Sequence, residues 1–371
     1  MQAPAAVADV FRREIEGGEM RRNRTMSVVS AALLVFGFAV FPATVDAAGK
    51  NNYLVTILRS NEAEDNTVDE PDPLLQNSWG IAASGSGPWW VANNGSMTST
   101  IYNGDGHSFP LVVTVPGPIT GEVFNSSSSF PLANAEKALF IWASEDGKFF
   151  AWNSGSGTMA EQIFSDEESS YKGLAIHGET LFSTDFAECK VEAFQFVDTA
   201  VMEVPTSGKF ADASIPGSYC PFGIQAVGDS IFVTYALKGG EDDIAGQGHG
   251  LVREFDTDGN LISQVANHGL LNSPWGIALA PTSGSGFGKF SGCLLVGNFG
   301  DGRINAFCKD EEGEWFHAGL LRQGKSPVVI DGLWGIGFGN DHNSGPSTTL
   351  YFAAGPDGEV NGYFGKVEAV N

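Results

Sequence analysis

TLFSTDFAECKVEAF (180–194) and CLLVGNFGDGRINAF (293–307) match position for position. Asp185 falls on Asn298, Phe186 on Phe299, Lys190 on Arg303, and Ala193 with Phe194 on Ala306 with Phe307. A third stretch, ALFIWASEDGKFFAW (138–152), ends the same way in Ala151 and Trp152. Two apolar runs flanking a Gly/Asp-rich turn read as a β-hairpin, and its recurrence is the mark of a repeat protein.

A second signature precedes each hairpin: SWGIA at Gly80, ITGEV at Gly121, YKGLA at Gly173, PFGIQ at Gly223, PWGIA at Gly276 and LWGIG at Gly335. Steps of 41, 52, 50, 53 and 59 residues separate these glycines. Units of that length cannot each bury a core, and six of them predict the blades of a propeller. The fold class expected is all-β, a six-bladed β-propeller over residues 49–371. Each unit reads as four strands, for example WGIALA, CLLVGN, RINAF and WFHAGL in the fifth. The last unit lacks a fourth strand, and NNYLVTIL (51–58) is available to close it and cover the sheet edge.

The hairpin register also predicts a disulfide. A turn at Gly300 and Asp301 sets Asn298 against Arg303 and hence Cys293 opposite Cys308, with Cα atoms ~4.5 to 5.5 Å apart. Cys189 and Cys220 are left open between pairing and freedom.

Residues 20–48 carry a basic start (Arg21, Arg22, Arg24), an apolar run from Val28 to Phe41 and small residues near Ala47. This is the pattern of a secretory signal, and residues 1–19 upstream of it suggest a mis-assigned start. The apolar run is shorter than the ~20 residues that span a bilayer, so no transmembrane segment is expected after its removal. Secretion agrees with four cysteines that show no CxxC spacing. Residues 1–48 hold equal numbers of basic and acidic side chains, so the remainder keeps the net charge of −24. Such a charge repels nucleic acid. The expected partner is a small molecule, a glycan or a protein, met by a monomer.

The motifs NSWGIAASGSGPWWVANNG, FPLVVTVPG, LVGNFGDGRINAF, DGLWGIGFGN and LYFAAGP resemble a family of secreted conserved proteins of unassigned function, some of which carry a PEP-CTERM sorting tail. The chain ends in GKVEAVN, without the tail's Pro-Glu-Pro, apolar run and basic end. More distantly it is similar to NHL-repeat propellers and to calcium-dependent gluconolactonase-like propellers, which hold their metal with carboxylate and amide side chains.

In propellers, the loops before the innermost strands and those joining second to third strands share one face. That face is expected to carry a mouth formed by Trp79, Glu145, Asp146, Glu188, Asp242, Asp243, Trp275, Asp301 and Trp334, with the insertion KGGEDDIAGQGHG (238–250) beside it. Asn93, Asp185 and Asn298, at comparable ends of second strands, are the candidate ligands for Ca²⁺, a cation that takes oxygen donors. Trp89, Trp90, Trp142 and Trp152 read as packing between blades. The opposite face, with the SGSG runs, reads as featureless connection. GNFGDG lacks the glycine order of a dinucleotide fingerprint and the lysine of a P-loop, and neither GxSxG nor HExxH occurs. The reading is a secreted binding or scaffold propeller of unassigned activity, with a calcium-dependent lactone or ester hydrolase as the alternative.

Overall fold

A computed structural model describes residues 50–63, 68–282 and 286–370. The upstream extension and the secretory signal lie outside these residues. Six four-stranded antiparallel sheets follow one another along the chain. Their innermost strands are Ser78–Ala83, Ile119–Phe124, Tyr171–His177, Tyr219–Val227, Pro274–Leu279 and Leu333–Phe338. Each touches the next and the sixth touches the first, so the ring closes as a six-bladed propeller. In the sixth sheet the outermost strand is Tyr53–Ser60, antiparallel to Tyr363–Ala369.

The six signature glycines mark where the blades meet. At each one the pairing with the second strand skips a step, for instance between Pro221 and Ile224 and between Pro274 and Ile277. Such a bulge bends the strand locally and increases its twist. A Cβ on Gly80 would lie 2.6 Å from Thr120 O, on Gly223 2.0 Å from Trp275 O, on Gly276 2.3 Å from Trp334 O, and on Gly335 2.6 Å from Trp79 O. Glycine is required because the neighbouring backbone occupies the side-chain position.

Packing follows the same six-fold scheme. Among the described residues, six buried clusters lie between adjacent blades; Trp90, Trp142 and Trp152 fill the one between blades 1 and 2. The seventh lies on the axis and holds Trp79, Phe186, Phe222, Trp275 and Trp334.

Both disulfides form. Cys293–Cys308 crosses the fifth-blade hairpin in the expected register, Leu294 facing Phe307 beside it, with Cα atoms 4.4 Å apart. Cys189–Cys220, which the sequence left open, ties the hairpin turn of blade 3 to the inner strand of blade 4 at a Cα separation of 4.7 Å. Its loop is the longer, 31 residues against 15. Loop-closure entropy therefore gives it about 3.7 kcal/mol against about 3 kcal/mol. Urea unfolding of Cys189→Ser/Cys220→Ser is expected to lose more stability than that of Cys293→Ser/Cys308→Ser; the reverse order would show that strain, not loop length, decides.

Candidate functional site

The residue before each signature glycine points to one end of the axis. Around the ring these are Trp79, Thr120, Lys172, Phe222, Trp275 and Trp334. Three indoles therefore converge and fill that end. Trp79 stacks on Trp334 at 3.5 Å between centroids, Trp275 meets both edge-on, and Phe299 stacks on the other side of Trp334 at 3.9 Å. The mouth tryptophans thus form a buried floor, all less than a tenth exposed.

Lys172 is the charged member of this ring. Its ammonium lies 5.7 Å from the Trp79 ring centroid, and the side chain is 3% exposed. It donates to Glu145 Oε1 and, at 3.1 Å, to Asp242 Oδ1. Burial alone would lower its pKa, but the two carboxylates outweigh this and hold it above the ordinary lysine value. The network extends sideways. Asn94 Nδ2 donates to Glu145 Oε2 at 2.8 Å, and Asn77 Nδ2 approaches Asn94 Oδ1 at 3.5 Å. Glu359 lies near Asn77 and feels Glu145, Asp242 and Lys172; burial is the main force raising its carboxyl pKa. Asp243 lies near Ser273, and burial raises its pKa as well. Side chains from five of the six blades thus meet over the aromatic floor.

The expected mouth residues divide into two sets. Glu145, Asp242 and Asp243 join the Lys172 network, above Trp79, Trp275 and Trp334. Asp146, Glu188 and Asp301 turn to local partners: Lys148 for Asp146, Lys190 for Glu188, and Asn298 with Arg303 for Asp301. Lys172 and Glu359 were not anticipated. A comparison of the residues flanking the six glycines marks Lys172. Glu359 carries no such mark, because it is brought in by left-handed backbone at Asp357, Gly358 and Glu359 (φ 58°, 66° and 69°).

Asn93, Asp185 and Asn298 are all fully buried, and each bonds within its own blade or the loop before it. Asn93 accepts from Ser78 Oγ and donates to Thr98 and Thr100. Asp185 Oδ1 accepts the backbone N–H groups of Ser170, Ala187 and Glu188. Asn298 donates to Leu270 O and Asp301. Asp185 Oδ2 and Asn298 Oδ1 have no partner. Among the described residues no group of three His, Cys, Asp or Glu side chains is placed to hold a metal. The carboxylates that do converge, Glu145 and Asp242, already face an ammonium. Asn93, Asp185 and Asn298 thus each bond locally, with one free buried oxygen on Asp185 and one on Asn298.

The opposite end of the axis is open. A cavity of about 500 Å³ is lined by the far halves of the inner strands, among them Ile81, Glu122, Gln225, Ile277 and Ile336. This face was expected to be featureless. It is not, because the residues after the signature glycines leave a funnel where the tryptophans on the other side leave a plug.

Among known proteins, the uncharacterized protein R648 of Acanthamoeba polyphaga mimivirus is 32% identical over 336 residues, covering 86% of this chain and 80% of the viral one. The chain belongs to the family of R648. No protein-family model matches this R648-family member. In solved structures, the soluble aldose sugar dehydrogenase of Escherichia coli in its apo-form covers 86% of this chain and 100% of its own at 12% identity and a TM-score of 0.50. A protein whose structure is described as that of a "putative gluconolactonase" covers 62% of this chain and 83% of its own at 17% identity and a TM-score of 0.41. At these identities the likeness extends to the fold alone.

Among the described residues no helix is long and apolar enough to cross a membrane. Two disulfides are compatible with an oxidising compartment.

Proposed function

We propose that the protein is a secreted binding propeller whose mouth recognises a basic ligand, a peptide or polyamine bearing several protonated amines. One observation carries this reading: Glu145, Asp242, Asp243 and Glu359 converge from three blades around a single buried ammonium, so the mouth holds more acid than Lys172 neutralises. The net charge of −24 draws cations toward it, and the indole floor gives them a rigid apolar base. The test is calorimetric titration with hexalysine, hexaglutamate and cellohexaose. Hexalysine is expected to bind, to weaken with salt, and to weaken about tenfold in Asp242→Asn/Glu359→Gln. Binding of cellohexaose instead would move the reading to glycans. Binding of none of the three would remove the mouth from consideration.

The unpartnered oxygens of Asp185 and Asn298 support a second reading, a calcium-dependent lactone or ester hydrolase. Since Lys172 supplies the cation that the converging carboxylates need, neither added Ca²⁺ nor a chelator is expected to move the melting temperature. A rise of several degrees with Ca²⁺ that disappears in Asp185→Ala and Asn298→Ala would install the hydrolase.

A further inference from the structure

The funnel at the other end of the axis is independent of the mouth, separated from it by the indole plug. The residue after each signature glycine lies along its wall or upper end. Five of the six are aliphatic: Ile81, Leu174, Ile224, Ile277 and Ile336. The second blade has Glu122 in their place.

Glu122 is 6% exposed and sits between blades 1 and 2. Its Oε1 accepts from Ser99 Oγ, and the Trp142 indole N–H lies beside the carboxyl, outside bonding geometry. Oε2 has no partner. Ser99 is thus the one hydrogen-bonding partner of this carboxyl among the described residues, and its Oε2 is left over. Burial raises its pKa well above the usual carboxylate range, which favours the protonated form that can donate. Among the described residues no other charged side chain lines the funnel, and its remaining wall is mainly apolar, aliphatic and aromatic, with the amides of Gln225 and Asn340 and the hydroxyls of Ser84 and Ser344.

We propose that this funnel is a second binding site, for a neutral and largely apolar small molecule whose single carbonyl oxygen, of a ketone, ester or lactone, accepts the Glu122 O–H. An isolated buried acid costs stability unless it gains a partner, and a ligand acceptor is the partner the cavity has room for. A cavity of this volume holds a fused two-ring compound with space remaining.

Coumarin, a neutral fluorescent lactone, and naphthalene, with the same two-ring outline and no acceptor, are the probes. Coumarin is expected to bind the full chain with its carbonyl stretch shifted to lower wavenumber. Glu122→Gln keeps a donor and is expected to bind coumarin within about threefold of wild type. Glu122→Leu restores the aliphatic residue of the other blades; it is expected to lose about tenfold for coumarin, lose the carbonyl shift, and bind naphthalene at least as well as wild type. Retained naphthalene binding shows that Glu122→Leu is folded. Equal coumarin affinity in Glu122→Leu and wild type would overturn the proposal, as would failure of both probes to bind wild type. Binding of 1-naphthylmethylamine with proton release, in preference to coumarin, would also overturn it in favour of a cation site.

Discussion

Gly223→Ala is expected to cost about 3 kcal/mol or more and to leave the propeller poorly folded at physiological temperature. The added Cβ would stand 2.0 Å from Trp275 O and 2.9 Å from Thr234 Oγ1. No rotamer change relieves this, because the obstacle is the backbone of the next blade and a Cβ has no freedom to turn away. The strand would have to move outward, opening the ring and loosening the plug in which Trp275 packs. Gly173→Ala is expected to be milder, since its nearest neighbours lie at 3.0 to 3.2 Å and include two side-chain atoms. Gly85→Ala, with nothing within 4 Å, serves as the control and is expected to change stability by less than about 0.5 kcal/mol. Urea midpoints for the three variants test this order. A Gly223→Ala chain as stable as Gly85→Ala would mean that the ring is more compliant than its geometry implies.

The same glycines explain why the architecture could be read from the sequence. Close approach of backbone at the axis excludes a side chain at five of the six equivalent positions and crowds it at Gly173, so the spacing of the blades is written as a glycine period. The hairpin register was readable for a similar reason. Alternation and the turn at Gly300 leave one pairing that buries Leu294, Leu295 and Val296, and Cys293 opposite Cys308 follows from it. Cys189–Cys220 depends on how two neighbouring blades stack, which no local pattern encodes. The site was readable only in part. Carboxylates on the correct loops could be named, but whether each turns inward depends on nearby cations. Glu188 is taken by Lys190, and Asp301 by Asn298 and Arg303, whereas Glu145 finds Lys172. Lys172 and Glu122 are the exceptions to the rings of residues flanking the glycines. Both are visible once those residues are compared around the ring, rather than copy by copy along the chain.

That contrast leads to the second large effect. Glu145→Gln is expected to destabilise the protein by about 3 kcal/mol, near the lower end of the cost of removing one partner from a buried pair. Lys172 stays 3% exposed over Trp79, and the one carboxylate still bonded to it, Asp242, is 80% exposed and gives up much of its attraction to solvent. Lys172→Met placed in the same chain is expected to recover most of the loss. An unbranched apolar side chain can lie on the indole floor without a charge to compensate, and replacing both partners of such a pair is often close to neutral. The single and double variants therefore form a cycle whose coupling is favourable and large. The pH dependence gives a second readout. With its native pKa raised above the unfolded value, Lys172 contributes stability that is complete below about pH 10.4 and is lost as pH rises through the native value. The wild type is accordingly expected to lose more stability on alkaline titration than Glu145→Gln/Lys172→Met, while the two run parallel between pH 6 and about 9. If Lys172→Met fails to rescue Glu145→Gln, the ammonium is not the charge that organises the mouth, and the binding reading built on it fails as well.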